Sequence, residues 1–364
     1  MRVVINRTDA IGDTTLTIPL AQAIKERYPD SRVAFLVAPR SADLFTKHPF
    51  IDEVWVFNHS HSFISKAFFV WRKMRAFKAD HFFHVGGSFI PCFVAWFRRT
   101  PFRGGLLSRW KSFLFINKGV RQKRSLVEMH EVEYNLNLLA PLGIHYQYTE
   151  RKHFEPVIHL DEGESQKAFE EFCEGLKELR IPIGELIFIH PGMMGHTLNW
   201  PIANYVRLLL RIEQMAPQRF TYVISYTGSD AHYLNVLRHE LELPEYHLLR
   251  ERIYYFDGSR KGLRNFMNVL SFATLFIGPS TGPTHLANTL GVKTLGLYSP
   301  IKTQSSFRWG PYRGDKDTTQ VLVPDVVCGE SVHCLGEACP YYECMEKLEV
   351  EDVLVGVGKL LKIS

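Results

Sequence analysis

The sequence predicts an α/β protein made of two doubly wound domains that face a cleft. Its 364 residues are enough for about two domains, at roughly 150 residues each. In both halves, short β-rich segments alternate with segments of helical periodicity, which is typical of parallel sheets covered by helices on both faces. A polar segment, residues 148–183, separates the halves. We expect an N-terminal domain over residues 1–165, a C-terminal domain over 166–345, and a last helix within 346–364 that packs back on the first domain.

In the N-terminal half, runs of apolar and β-branched residues predict strands at residues 3–6, 32–37, 53–57 and 80–85. Apolar residues at helical spacing predict the intervening helices at residues 14–28, 42–47 and 65–77. The order strand, helix, strand predicts parallel pairing, because parallel strands need a long crossover between them.

The C-terminal half repeats this alternation. Its predicted strands are residues 186–190, 220–225, 252–256, 275–278 and 293–297. Its predicted helices begin at residue 201 and cover 231–241, 263–272, 283–290 and 350–362. Ligands of open α/β sheets bind beyond the carboxyl ends of the strands, so we expect the site residues in the loops that follow them.

The composition excludes several classes of protein. Hydrophobic residues make up 46% and charged residues 22% of the chain, which excludes a disordered or fibrous protein. No stretch reaches the roughly 18 apolar residues of a membrane span. The first residues read as a strand and lack the apolar core and cleavage site of a signal peptide. We therefore expect a cytoplasmic protein.

The first candidate site lies in residues 9–13, between the first strand and the first helix. Gly12 allows a ligand to approach the backbone closely, and the carboxylate of Asp13 can project into the cleft. The alternative is that Asp13 only caps the helix. Since no G-x-G-x-x-G motif occurs in the chain, a dinucleotide-dependent dehydrogenase is disfavoured.

The second candidate site is the loop of small and hydroxyl residues that leads from a strand into the helix opened by Pro283. Free N–H groups and the positive dipole end at such a junction favour phosphate binding. The residues expected to contact the ligand are Ser280, Thr281, Gly282, Pro283, Thr284 and His285. The alternative is an ordinary capped helix with a packed histidine.

Two further loops of the C-terminal half are candidate ligand contacts. Residues 190–201 follow a predicted strand, and we expect Gly192 and Thr197 to contact the ligand, with Trp200 in the core as the alternative reading. Asp230 follows the next strand and either binds ribose hydroxyls or caps a helix.

Taken in order, these segments resemble the heptosyltransferases of lipopolysaccharide core assembly, glycosyltransferase family 9. The matching motifs are R-x-D-A-I-G-D at residues 7–13, H-P-G…W-P at 190–201, S-T-G-P-T-H-L-A at 280–287, and the late cysteine segment that ends at Cys344. The resemblance implies the GT-B fold of two Rossmann-like domains. It also implies inverting, metal-independent transfer of heptose from ADP-heptose to the inner core, at the cytoplasmic face of the inner membrane.

By this resemblance, Asp13 is the catalytic base, and Thr281, Gly282 and His285 bind the diphosphate of the donor. A base is needed because a sugar hydroxyl, whose pKa lies far above 7, is a poor nucleophile. The N–H groups of the loop would stabilise the charge of the leaving ADP.

Two positions depart from the family pattern. Leu198 stands where a basic residue usually contacts phosphate, and Ser280 replaces an acidic residue; His196 or Arg308 would then supply the cation. Three alternatives therefore stay open: a GT-B glycosyltransferase for another glycan or a protein acceptor, a non-catalytic nucleotide-sugar-binding protein, and a nucleotide-sugar epimerase.

Charge is distributed unevenly along the chain. Residues 1–150 carry 21 basic and 12 acidic residues, a net charge of +9, whereas the remainder carries 22 and 26, a net charge of −4. Residues 63–124 combine 14 basic residues and one acidic residue with 15 aromatics. This pattern favours an anionic, lipid-linked acceptor at a membrane surface, bound by Arg98, Arg99, Arg103 and Arg109. The alternatives are a helix with a packed aromatic face and solvated cations, and nucleic acid, for which no recognised module is present.

Four of the six cysteines lie close together near the C-terminus: Cys328, Cys334, Cys339 and Cys344. They are separate thiols or ligands of zinc or iron, although their spacing fits no standard zinc ribbon. A disulfide is disfavoured in a reducing cytosol.

Overall fold

The chain forms two compact units, Met1–His159 and Leu160–Ser364. The boundary lies inside the polar segment 148–183 that separates the two halves of the sequence. The structure is a computed structural model that describes residues 1–108, 110–193, 198–328 and 334–363.

The described part of the first unit contains a parallel six-stranded sheet in the order β3-β2-β1-β4-β5-β6. Its strands are β1 (Arg2–Arg7), β2 (Arg32–Val37), β3 (Glu53–Val56), β4 (His81–Gly86), β5 (Phe102–Leu106) and β6 (Lys118–Val120). Its helices are α1 (Ile11–Thr15), α2 (Ile18–Arg27), α3 (Phe63–Phe77), α4 (Ile90–Phe97), α5 (Trp110–Phe113) and α6 (Glu131–Leu136).

The second unit, over its described residues, has the same topology with the order β12-β11-β10-β7-β8-β9. Its strands are β7 (Glu185–Ile189), β8 (Phe220–Tyr226), β9 (Ile253–Asp257), β10 (Leu275–Pro279), β11 (Thr294–Leu297) and β12 (Thr319–Leu322). Its helices are α7 (Glu162–Glu178), α8 (Ile202–Met215), α9 (Ala231–Leu241), α10 (His247–Arg250), α11 (Gly262–Leu270), α12 (Gly282–Leu290), α13 (Ser306–Trp309) and α14 (Val350–Leu361).

The central strands are apolar almost throughout because helices cover both faces of each sheet. Val4 on β1 packs with Trp55 and with Met74 of α3 in the core of the first unit. Ile187 on β7 packs with Leu209 of α8 in the core of the second. Each unit therefore buries its own apolar side chains.

The predicted helix over residues 14–28 is broken into α1 and α2. Pro19 has no N–H to donate to Thr15, and Thr17 N instead bonds to the carbonyl of Thr14 at 3.1 Å. The break ends α1 after little more than one turn, so that the chain bends just beyond Asp13.

The last helix differs from expectation. We expect it from the sequence to pack on the N-terminal domain, whereas α14 packs on α8 and β12 in the second unit. Val353, Val357 and Leu360 enter the core of that unit, which explains the placement.

Each sheet has a point at which the chain reverses its direction of winding. The chain runs outward from β1 to β3 and then returns to β4, which lies beside β1. In the second unit it runs outward from β7 to β9 and returns to β10 beside β7. The crevice between the carboxyl ends of such strand pairs is where open α/β sheets bind ligands. The loops after β1, β4, β7 and β10 are thus where a ligand is expected to bind.

Candidate active site

At the end of β1, the buried side chain of Arg7 is surrounded by three carboxylates. Its Nε lies 2.8 Å from Asp9 Oδ1, its Nη1 lies 3.7 Å from Glu131 Oε1, and its Nη2 donates to Asp13 Oδ1. Burial alone would lower the pKa of Arg7, but the three acids raise the pKa above its usual value. Arg7 is therefore a permanent cation that fixes the directions of these carboxylates.

Asp13 is the third residue of α1, not its cap. The N-cap residue is Ala10, and no side chain of the described residues caps the helix there. The capping alternative for Asp13 is therefore not observed. The side chain of Asp13 is 25% exposed, whereas that of Arg7 is 3% exposed. Asp13 thus lies just after β1, which pairs with β4, in contact with Arg7 and partly exposed to solvent.

A second layer of charge supports this arrangement. Arg124 Nη1 lies 2.5 Å from Glu131 Oε1, so that Glu131 stands between two arginines. Arg124 Nη1 also donates to Asn135 Oδ1 at 3.2 Å. Sequence reasoning missed Glu131 and Arg124. All six residues of α6 are buried although three of them are polar, and no sequence pattern indicates this burial.

The glycine pair at the end of β4 allows the close approach of the loop after β1. A Cβ at Gly86 would lie 2.7 Å from Asp9 Oδ2. Gly87 has a φ of +82°, and a Cβ there would overlap the hydroxyl of Thr8. Both positions require glycine because the carboxylate-bearing loop packs directly against them.

In the second unit, Thr281 is the N-cap residue of α12 and has an extended backbone. Among the described residues no side chain caps this helix. The hydroxyl of Thr284 donates to the carbonyl of Pro279 at 2.5 Å, which ties the helix to the end of β10. Thr281, Thr284 and His285 are all buried. The capped-helix alternative is therefore not observed, although His285 is a packed histidine, as that alternative expected.

Ser280 lies at the mouth of this loop beside Tyr298. Burial raises the pKa of Tyr298, and a hydrogen bond with the Ser280 side chain opposes that rise. The hydroxyl that replaces the family's usual acidic residue is therefore engaged with a buried phenol of the same unit.

The loop after β7 begins with the buried His190. Its Nδ1 lies 3.1 Å from Ser225 Oγ and its Nε2 lies 3.9 Å from Asp230 Oδ2. Burial lowers the pKa of His190, and Asp230 raises it only in part. The carboxylate of Asp230 accepts from Thr227 N at 2.8 Å and from Thr227 Oγ1 at 2.7 Å, which forms a capping box on the short turn Gly228–Asp230. Asp230 is also the N-cap residue of α9, but its side chain does not cap that helix. A Cβ at Gly192 would lie 2.5 Å from Asp230 Cγ, so Gly192 is the surface on which this carboxylate packs.

Trp200 belongs to the core, as the alternative reading of its loop expected. It is 1% exposed, and its Nε1 donates to the carbonyl of Leu348 at 2.7 Å. Leu198 packs against the same core. The predicted contact Thr197 and the substitute cation His196 lie outside the described residues, while the guanidinium of Arg308 stacks on Trp309 at 4.6 Å.

The arginines assigned to the acceptor differ in their surroundings. Arg103 donates from Nε and Nη1 to two backbone carbonyls, at 2.8 and 2.5 Å, which gives it a structural role. Partial burial and the nearby Arg75 lower the pKa of Arg98. Arg99 is exposed at the end of α4, and Arg109 lies outside the described residues.

The four late cysteines line one cavity of about 340 Å³ in the second unit, together with Leu198. All four are free thiols. Burial, and then the proximity of the other three, raises the pKa of Cys344. Within the part of the chain that the structure describes, no three His, Cys, Asp or Glu side chains are placed to hold a metal ion. The thiols thus share a cavity without forming a preassembled metal site.

A model of glycosyltransferase family 9 (heptosyltransferase) matches residues 67–334 of the chain. The chain belongs to this family. It is 26% identical over 319 residues to a Haemophilus influenzae protein proposed to be a glycosyltransferase, with 85% of this chain and 86% of that protein aligned. It is 20% identical over 369 positions to lipooligosaccharide heptosyltransferase 2 of Campylobacter jejuni, which covers 100% and 99% of the two chains.

The fold agrees with this membership. The solved structure of the Escherichia coli ADP-heptose LPS heptosyltransferase II is similar with a TM-score of 0.75 at 17% identity, over 100% of this chain and 99% of that one. The two parallel sheets are the GT-B fold that the sequence resemblance implies, and the protein is a glycosyltransferase.

Proposed function

We propose that this family 9 enzyme transfers heptose from ADP-heptose to a sugar hydroxyl of the lipopolysaccharide inner core, with inversion and without a metal ion. The observation that carries the proposal is Asp13, a carboxylate that contacts the buried Arg7 and is itself 25% exposed. It follows β1 at the end of the sheet where ligands of open α/β folds generally bind. The heptosyltransferases named above supply the sugar and the class of acceptor. The strand order supports a site at the carboxyl ends of β1 and β4.

In the proposed reaction, Asp13 accepts the proton of the acceptor hydroxyl while the oxygen attacks the anomeric carbon of the heptose. The bond from that carbon to the phosphate oxygen breaks, and ADP leaves with the electron pair. Attack opposite to the leaving group inverts the configuration. Arg7 keeps the carboxylate in position, and Glu131 with Arg124 keeps Arg7 in position.

The leaving diphosphate gains negative charge, which we assign to the start of α12. The N–H groups of its first turn, the Thr281 hydroxyl and His285 would stabilise this charge without a metal ion. Gly12 would contact the donor at the first crevice. Gly192, Thr197 and Asp230 stay predictions as donor contacts, since Asp230 and Gly192 already pack on each other.

The decisive experiment is the substitution Asp13→Asn. We expect kcat to fall by at least about 100-fold, because the variant keeps its shape and loses the base. ADP binding, followed by thermal shift, should change little. The matched control is Asp9→Asn, which removes another carboxylate from the same arginine and should cost far less activity. If Asp13→Asn keeps wild-type kcat, the assignment of the base is wrong.

The acceptor is proposed to be anionic, linked to a lipid and bound at the inner-membrane surface by the basic region of the first unit. Arg98→Glu and Arg99→Glu should raise the KM of the acceptor and leave the KM of the donor unchanged. Equal effects on both constants would contradict this role. No nucleic-acid partner is proposed.

The apolar, partly buried Leu198 favours a second candidate, a glycosyltransferase of the same fold that uses another donor or a protein acceptor. Leu198 packs on the core and offers no charge to a phosphate. Product analysis with a panel of nucleotide sugars and acceptors distinguishes the two functions, since heptose transfer to lipopolysaccharide core supports only the first.

A further inference from the structure

The first unit carries a continuous exposed apolar face, formed by α3, α4 and the segment around α5. Its most exposed side chains are Ile64 (79%), Phe68 (60%), Trp96 (46%), Phe97 (67%), Trp110 (74%), Phe113 (45%) and Leu114 (68%). We call this set the aromatic face. Single exposed apolar residues are ordinary, but a contiguous group on a soluble domain marks an interaction surface.

Ring contacts join the three elements into one face. The half-buried Phe93 of α4 lies 5.9 Å from Phe63 of α3, 6.2 Å from Phe97 and 5.8 Å from Phe115, measured between ring centroids. Phe115 in turn lies 5.7 Å from Trp96. The rings of Phe93 and Phe115 therefore form a common floor beneath the exposed side chains.

The core does not account for this face. Helix α3 buries Val70, Met74 and Phe77 against its sheet. Ile64 and Phe68, four residues apart and thus on one face of the helix, point to solvent instead. The alternative considered from the sequence, a packed aromatic face with cations opposite, describes only the inner side of α3.

The charge of the region is strongly positive. Residues 63–124 contain 14 basic residues and one acid, Asp80. That acid accepts from His81 Nδ1 at 2.6 Å and from Arg2 N at 2.8 Å. Cations pack on the rings themselves: Lys111 lies 5.6 Å from the ring of Trp110, and Arg75 lies 5.3 Å from that of Trp71. A partner of complementary chemistry is anionic and accepts apolar side chains.

We propose that the aromatic face docks on an anionic lipid bilayer, with its apolar side chains among the acyl chains and its cations at the headgroup phosphates. Exposed Trp and Phe beside Lys and Arg are the composition of interfacial anchors. Among the described residues no helix is long and apolar enough to cross a membrane, so the contact is peripheral. Aliphatic Ile64 and Leu114 are among the most exposed members, and they gain from hydrocarbon but cannot stack on nucleic-acid bases.

The proposal rests on the proposed function only in that a lipid-linked acceptor would lie at the same surface. Binding to vesicles is measured without donor or acceptor. If the protein transfers sugar but does not bind vesicles, the docking is overturned and the function stands. If it binds vesicles but does not transfer heptose, the docking stands and the proposed function is overturned.

The experiment is co-sedimentation of the full chain with vesicles of equal parts phosphatidylglycerol and phosphatidylcholine, and with phosphatidylcholine alone. We expect at least tenfold stronger partitioning onto the anionic vesicles. The triple variant Ile64→Ser, Phe68→Ser, Phe97→Ser should partition onto the anionic vesicles at least tenfold more weakly than the wild type. The matched control is Leu248→Ser, Phe307→Ser, Val355→Ser, which removes three similarly exposed apolar residues from the second unit and should bind as wild type.

A second measurement keeps the proposal testable if the triple variant fails to fold. Brominated acyl chains quench tryptophans that enter the bilayer, and we expect quenching of the wild-type protein to fall in Trp96→Phe and Trp110→Phe. Equal binding to both lipids, unchanged binding of the folded triple variant, or displacement from vesicles by single-stranded RNA at equal charge concentration would overturn the docking.

Discussion

Arg7 shows how one residue organises the proposed active site. Arg7→Met leaves Asp9, Asp13 and Glu131 around an uncharged side chain. We expect the free energy of unfolding to fall by about 3–5 kcal/mol, the usual cost of breaking a buried ion pair. Urea denaturation measures this fall, and kcat should decrease as well because Asp13 loses its orientation.

The matched control for Arg7→Met is Arg40→Met. Arg40 donates to the backbone carbonyl of Asp9 at 3.2 Å, so it contacts the same loop from an exposed position. Arg40→Met should lower the free energy of unfolding by less than about 0.5 kcal/mol. If both variants unfold at the same denaturant concentration as the wild type, the arginine does not hold the site together.

The same residues mark the limit of sequence reasoning. Asp13 was found because it lies in a short motif between a strand and a helix. Glu131, another carboxylate beside Arg7, lies 118 positions beyond Asp13, and no local pattern predicts that α6 brings it to Arg7. Pairings between distant charged residues depend on the packing of whole elements, and a single sequence does not encode them visibly.

At the scale of elements, packing in the loop after β7 explains why residue 192 is a glycine. A Cβ there overlaps the carboxylate of Asp230, which Thr227 holds with two hydrogen bonds. Gly192→Ala should cost about 1–3 kcal/mol of stability, the usual penalty of overpacking, which thermal unfolding monitors. Adding Asp230→Ala should restore part of this loss, since it removes the overlapping atoms.

Gly228→Ala is the control for the glycine experiment. A Cβ at Gly228 meets no atom within 4 Å, so this variant should be as stable as the wild type within about 0.5 kcal/mol. A Gly192→Ala variant of unchanged stability, with Asp230 in place, would show that the loop moves easily and that Gly192 serves the ligand only.

His48 connects two segments of the first unit and makes that unit sensitive to acid. Its Nε2 donates to the carbonyl of Val157 at 3.1 Å, and its Nδ1 accepts from Phe50 N at 3.3 Å. Burial, and to a smaller extent the nearby His159, lowers the pKa of His48 to about 4, although the bond to Val157 raises it in part. Protonation would turn the accepting nitrogen into a donor and break the second bond.

The sign of the resulting pH dependence follows from proton uptake. Between pH 6.5 and 4 the unfolded chain binds a proton at His48 that the folded chain excludes, so stability falls as the pH falls. The difference between the ordinary pKa of 6.5 and the folded-state pKa of about 4 corresponds to about 3 kcal/mol in the free energy of unfolding. His48→Gln should show a correspondingly flatter profile in denaturation at pH 7, 5.5 and 4, whereas the exposed His61→Gln should keep the wild-type profile.

The elements themselves were predicted unevenly. The apolar central strands were found nearly to the residue because burial on both faces leaves long apolar runs. β5, β6 and β12 were missed: β5 contains Gly104 and Gly105, and β6 has only three residues. Glycines carry no apolar side chain and a three-residue strand shows no alternation, so β5 and β6 lack the apolar run that identifies the central strands. All four residues of β12 are only partly buried, so its pattern is weak as well.

At the scale of the whole molecule, both units repeat one topology and carry opposite charge. The first 150 residues hold a net charge of +9 and the rest −4. The proposed functions divide in the same way: the lipid-linked acceptor and membrane belong to the basic unit, and the donor nucleotide to the loops of the second. The division of charge can be counted from the sequence alone, whereas the packing of α14 on the second unit depends on the three-dimensional structure.

If the donor nucleotide binds to the loops of the second unit, ADP should stabilise the protein through that unit. At 100 times its Kd, ADP should raise the free energy of unfolding by about 2.7 kcal/mol, and it should do so in EDTA, because N–H groups replace the metal at the phosphates. Hydrogen exchange should slow at α12 and the loop before it, while the aromatic face should exchange as in the free protein. His285→Ala should weaken the stabilisation by ADP, with Arg99→Glu as the unaffected control. Stabilisation that appears only after Mg²⁺ is added, or protection confined to the first unit, would contradict a metal-free diphosphate site at α12.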